Sequence, residues 1–213
     1  MMSDHTYYKK LNLPANPLKD SRAVSQMSIT GVYDLVEPHA ILTDEILSIF
    51  DSLELRVKMV ALFGRMDGTS TKHDRLIHAD LYKNNADVRG WSKLVAGVNW
   101  EIEGSHNVFY WYDMSQLDEY WPPVAGSGTS KYDLLNGIHY GQRGNHGVYP
   151  EQAVVLEHTT IDGPTLVRTD IPHSTLYHNP NTYRVGVSVR FFEEDFDHNW
   201  ETVLAKFQPV FLK

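Results

Sequence analysis

The chain contains no cysteine. That removes disulfide bonds, thiolate metal ligands and thiol nucleophiles together, and it suits a reducing compartment. No stretch approaches the ~20 apolar residues of a membrane-spanning helix, and residues 1–10 lack the apolar core of a signal peptide. The expectation is a soluble cytoplasmic protein with no membrane partner. Basic runs are missing too: 27 acidic side chains outnumber 19 basic ones, for a formal net charge of −8. Duplex DNA binders neutralise phosphates with a basic face, so this balance argues against long nucleic acids as partners. There is no Gly-x-x-x-x-Gly-Lys-Ser/Thr or Gly-x-Gly-x-x-Gly phosphate loop. A Gly-x-Ser-x-Gly nucleophile elbow and a His-Glu-x-x-His zinc motif are equally absent. Neither internal repeats nor low-complexity tracts occur.

What is present reads as one folded domain over residues 1–213. A length of 213 residues with 42% hydrophobic and 12% aromatic residues suffices for a packed core, and all-β units of this size commonly form a single domain. Residues 76–82, 93–102, 107–113, 152–161, 165–170, 173–178 and 183–192 read as successive strands. Gly104-Ser105, Asp162-Gly163-Pro164 and Asn179-Pro180-Asn181 punctuate them. Upstream, residues 43–50 read as a short helix capped by Thr43, and 53–63 begin with the strict alternation of a half-buried strand. Residues 197–207 read as a closing helix with Asp197 as its cap and Pro209 ending it. The expected fold class is mainly β with a few flanking helices. Its parts are an N-terminal flank of helix and strands (1–75), a β core (76–192) and a C-terminal helix and tail (193–213). Residues 115–150 are irregular and rich in glycine and proline, and a long loop of that kind inside a compact domain is usually functional or disordered. The expectation is an insertion or lid that shapes a substrate entrance.

The chemistry concentrates in His78-Ala-Asp80 and a distant His173. On a strand, positions i and i+2 point to the same face, so a His-x-Asp pair can converge on one ion. Two histidines and a carboxylate on one face are the ligand set of non-haem Fe(II) oxygenases. His73, followed directly by Asp74, is a weaker rival because adjacent strand residues face opposite ways. The plain alternative is a hydrogen-bonded turn at His78 and Asp80 with a core histidine at 173, since the chain has 11 histidines. Residues 183–191 add to the picture by placing Arg184, Gly186, Ser188 and Arg190 on one strand face. Two cations and a hydroxyl there suit a small dicarboxylate.

The order His78-x-Asp80, alternating strands, Ile-Pro-His173, Arg184 and Arg190 resembles the 2-oxoglutarate and Fe(II)-dependent oxygenase superfamily over residues 76 to 192. The resemblance implies a double-stranded β-helix (a cupin-like jelly roll), with His78, Asp80 and His173 as the metal and catalytic residues. Fe(II) would be the metal and 2-oxoglutarate the co-substrate. It also implies that Arg184, eleven residues after His173, holds the distal carboxylate of 2-oxoglutarate. The planar guanidinium makes paired, charge-assisted hydrogen bonds to such a group. Ser188 and Asn99 are further co-substrate contacts on the same resemblance, although Gly186 stands where many relatives carry a serine. Arg190, six residues after Arg184, matches the paired-arginine spacing of the AlkB-type demethylases; the competing reading is a surface ion pair with Glu193 or Glu194. The activity implied is a dioxygenase, in practice a hydroxylase, acting on an unidentified small molecule or protein side chain. The rivals are a cupin-like metal enzyme that uses no 2-oxo acid and a non-catalytic jelly-roll binding protein. In the aromatic strand, Tyr110 and Tyr112 are expected to line the cavity, with Phe109 and Trp111 outside. His139, Tyr140, Arg143 and His146 are substrate-contact candidates by location in the insertion.

Overall fold

Val185, Val187 and Val189 are buried, and so are Ser188 and Arg190 beside them. The strand that carries them therefore has no solvent face, and each side of it meets a different layer. The computed structural model describes residues 7–20, 33–65, 77–83, 91–104, 107–115, 118–120, 138–141, 150–177 and 184–213. The first strands are β1 (Tyr8–Lys10), β2 (Tyr33–Val36), β3 (Val57–Arg65), β4 (His78–Ala79), β5 (Leu81–Lys83), β6 (Trp91–Lys93) and β7 (Ala96–Gly104). Then come β8 (Asn107–Asp113), β9 (Asp118–Tyr120), β10 (Ile138–Gly141), β11 (Val154–Thr160), β12 (Thr165–Arg168), β13 (His173–Tyr177) and β14 (Arg184–Phe191). The helices are α1 (Pro38–Ile41), α2 (Asp44–Ser52) and α3 (Trp200–Phe207).

Two antiparallel six-stranded sheets form a β-sandwich, in the orders β1-β12-β7-β14-β3-β2 and β11-β8-β13-β4-β10-β9, with β5 and β6 as a separate pair. The chain is mainly β with few helices, as expected. The outer face of the first sheet presents Val60, Leu62, Val98, Trp100, Leu166, Val185, Val187 and Val189 to α2 and α3. Phe191 sits at the centre of that layer, edge-on to Phe50 at 4.9 Å and to Phe207 at 5.6 Å. Each such side chain contributes about 1.5–3 kcal/mol by leaving water. The inner face of the same sheet carries the alternate set, and the register puts Arg190 opposite Gly97 and Ser188 opposite Asn99. That face meets the second sheet through Phe109, Trp111, Ile161 and Val167. The Trp111 indole donates to the Arg168 carbonyl at 2.8 Å.

The helix expected at 43–50 is α2, and Thr43 accepts the Ile46 N–H as its cap. Three details differ from expectation. The strand expected from 53 begins at Val57, because Leu53 ends α2 and Glu54 turns the chain in a left-handed conformation with φ 57°. Asp197 does not cap the closing helix, since it too is left-handed (φ 52°). Asn199 takes that role, accepting from the N–H groups of Glu201 and Thr202. Finally, the insertion contributes two strands: β9 and β10 extend the second sheet beyond β4. Most of 115–150, including Arg143 and His146, lies outside the described residues, as do His73 and Asp74.

Candidate metal centre

In the second sheet, β4 lies between β13 and β10, and His78 stands directly opposite His173. Opposed residues of an antiparallel pair point to the same side, and the two imidazole centroids are 4.6 Å apart. Asp80 follows two residues after His78 and reaches the same space. Its Oδ1 lies 3.6 Å from His78 Nε2 and 3.5 Å from His173 Nε2. The three ligand atoms all fall within 4.8 Å of one another, the one such group among the described residues. Adjacent ligands of a six-coordinate ion with bonds near ~2.1 Å sit ~3 Å apart, so the two carboxylate–imidazole gaps are within a small side-chain adjustment of that spacing.

His173 and Asp80 are both held from behind. His173 is buried, and its Nδ1 lies 2.7 Å from the Ile171 carbonyl. A carbonyl only accepts, so Nδ1 carries a proton, and Nε2 is the ring atom left to ligate an ion. Phe109 stacks on the same ring at 4.7 Å and 19°. The Asp80 backbone is tied on both sides: its N–H donates to Thr169 O (2.8 Å), and its carbonyl accepts from Leu94 N–H (3.1 Å). Its second oxygen, Oδ2, accepts from Arg190 Nη2 at 2.7 Å. Burial works to raise the Asp80 pKa, but Arg190, His173 and His78 outweigh it and hold the carboxyl well below its usual range. Asp80 is thus an anionic ligand with one oxygen turned to the histidines and the other claimed.

Arg190 is therefore not a surface residue paired with Glu193 or Glu194. It is buried, its Nη1 donates to Ser188 Oγ, and it lies 3.4 Å from Asn99 Oδ1, which also accepts from the Ser188 hydroxyl. Asn99, Ser188 and Arg190 thus form one polar cluster against Asp80. Arg184 opens β14 at an even spacing from Ser188 and Arg190; its side chain lies outside the described residues.

The aromatic strand faces opposite to expectation. The pairing of β13 with β8 sets His173 against Trp111 and Ser174 against Tyr110. Phe109 and Trp111 consequently share the metal face, whereas Tyr110 and Tyr112 lie on the far side. There the Tyr112 and Ser174 hydroxyls meet at 2.8 Å. Burial pushes the Tyr112 phenol up to about 12.

Sequence reasoning also missed Glu193, Thr169 and Gly97. Both Glu193 oxygens accept from Val95 N–H at 3.2 Å. The Val95 carbonyl accepts from Thr169 N–H at 2.9 Å, and the Thr169 hydroxyl donates to Leu94 O at 2.7 Å. This ladder braces the segment that bears Asp80, and no motif marks it. His139 of β10 stands opposite His78 on the side away from His173, so the insertion does enter the row of residues that holds the ligands.

No protein-family model matches the chain, and no curated protein matches it. No helix among the described residues is long and apolar enough to cross a membrane.

Proposed function

We propose that this chain is an Fe(II) and 2-oxoglutarate-dependent dioxygenase, a hydroxylase built on a jelly roll. The observation that carries the reading is the geometry of Asp80: one oxygen faces two imidazole Nε2 atoms, and Arg190 occupies the other. Ligation through Oδ1, His78 Nε2 and His173 Nε2 leaves three adjacent positions of a six-coordinate ion for other ligands, the arrangement that non-haem oxygenases need. Two neutral nitrogens and one anionic oxygen suit Fe(II). The strand orders β12-β7-β14-β3 and β11-β8-β13-β4 support a jelly roll, since β3, β4, β7 and β8, and then β11, β12, β13 and β14, fall in alternate sheets.

Bound there with 2-oxoglutarate, Fe(II) would supply O₂ activation coupled to oxidative decarboxylation to succinate and CO₂, ending in C–H hydroxylation of a substrate. The side chains do the positioning. The Ile171 carbonyl orients His173 so that Nε2 is its ligating atom, and Phe109 and Trp111 exclude water behind it. Arg184 is assigned the distal carboxylate of the co-substrate, and Asn99 and Ser188 border the same space. Function lies in such side chains rather than in the fold, so the substrate stays a small molecule or a protein side chain of unidentified structure. Iron-dependent release of succinate from 2-oxoglutarate, lost in Asp80→Ala, tests the reading.

One observation favours a second reading, a metal enzyme that uses no 2-oxo acid. Arg190 is already engaged by Asp80 and Ser188, which leaves Arg184 alone of the two arginines for a dicarboxylate. Metal-dependent activity indifferent to 2-oxoglutarate would select it.

A further inference from the structure

Arg190 and Gly97 are directly opposed across β14 and β7, and the arginine folds back over its neighbour. A Cβ built on Gly97 would fall 1.5 Å from Arg190 Nη1, 2.5 Å from Cζ and 3.1 Å from Nε. The guanidinium thus occupies the volume a side chain at 97 would take. Arg190 Nε has no hydrogen-bond partner among the described residues. Its other two nitrogens are spent on Asp80 and on the Ser188–Asn99 pair. A buried donor without a partner is unfavourable, so this placement is maintained by the bonds at the far edge of the group. Glycine inside a strand commonly marks such a close approach.

We propose that Gly97 is a positioning residue that acts through Arg190 to set the orientation of the Asp80 carboxylate. With no side chain at 97, the guanidinium lies flat on β7 and caps Oδ2, which turns Oδ1 toward His78 and His173. Any side chain at 97 lifts the guanidinium off Asp80. Then Oδ2 is uncapped, the carboxylate turns, and Oδ1 no longer faces both histidines. The consequence for metal rests on the reading of His78, Asp80 and His173 as ligands. The coupling of Gly97 to Asp80 does not.

Gly97→Ala is a fair probe because the atoms it displaces are the far end of a flexible side chain, so the strand itself survives. Co(II) binding to the full chain is measured by calorimetry for wild type, Gly97→Ala, Arg190→Met and the double variant. Partners of metal ligands typically carry about 10–100-fold in affinity, and Gly97→Ala is expected to lose that much. In the Arg190→Met background the same substitution is expected to cost nothing further. A purely structural glycine would instead lower stability alike in both backgrounds and leave Co(II) affinity unmoved. Wild-type affinity in folded Gly97→Ala, or losses that multiply in the double variant, overturns the proposal. A second cycle in urea, without metal, pairs Gly97→Ala with Asp80→Asn. Coupling between them is expected, and its absence overturns the proposal even if wild type binds Co(II). Coupling in a wild type that takes up no Co(II) upholds the positioning of Asp80 while the metal reading fails.

Discussion

The Phe109 ring lies over the His173 imidazole with centroids 4.7 Å apart and planes 19° from parallel. One ligand of the candidate centre is therefore held by a carbonyl at Nδ1 and by an aromatic face. Phe109→Leu keeps most of the volume and removes the stacking, worth about 0.5–1.5 kcal/mol. The expected result is a small loss of stability together with weaker Co(II) binding. Phe109→Ala should cost about 3–5 kcal/mol of stability. Urea unfolding with and without Co(II) separates the two effects, because a bound ion stabilises by mass action.

Asp80→Ala removes the anionic ligand and strands Arg190 as a buried cation. Breaking one side of a buried pair typically costs about 3–5 kcal/mol. The variant is expected to lose metal binding and also to melt well below wild type, which an exposed His-x-Asp turn would not do. Thermal melting of metal-free protein checks this, and an unchanged melting temperature would place the Asp80–Arg190 pair in solvent.

Glu193 gives the protein a pH signature. Burial raises its pKa to about 7, against the pull of Val95 N–H, Lys58 and Arg190 and with some help from Asp170. The His198 ring stands 4.0 Å away. The folded state holds this proton after the unfolded chain has released it near the ordinary value of 4.5. Its contribution is complete below that value and is lost as pH rises toward 7, by at most about 3 kcal/mol. Glu193→Gln keeps an acceptor for Val95 N–H. It is expected to match wild type near pH 5 and to exceed it at pH 8 in urea titrations.

Arg184→Ala is expected to raise the 2-oxoglutarate requirement roughly 10–100-fold, since each charge-assisted hydrogen bond carries about 1.5–3 kcal/mol. Co(II) affinity should stay as in wild type. Arg190→Ala should do the reverse and disturb the metal centre first. If only Arg190→Ala impairs 2-oxoglutarate binding, the two arginines have been assigned the wrong way round.

Local rules made parts of this arrangement legible in the sequence, and long-range register hid the rest. The alternation of Val185, Val187 and Val189 with Ser188 and Arg190 gave two faces of one strand, and the i, i+2 spacing gave His78 and Asp80 a shared direction. Thr43 was readable as a cap because its bond is local. The faces of Phe109 and Tyr110 were not readable, because they depend on how β13 registers against β8. Arg190 has acidic neighbours in sequence, but its partner Asp80 lies 110 residues away. Asp197 looked like a cap and instead took the left-handed turn before Asn199. Gly97 did carry a signal, a glycine within an apolar strand, whereas Glu193 carried none.

Anaerobic titration of the full chain with Fe(II) and then 2-oxoglutarate tests the central claim most directly. The expected result is a weak visible charge-transfer band that saturates at one iron and one 2-oxoglutarate per chain. It should vanish in Asp80→Ala and require more 2-oxoglutarate in Arg184→Ala. Absence of the band, with neither ligand bound at millimolar concentration, would contradict the assignment of this site.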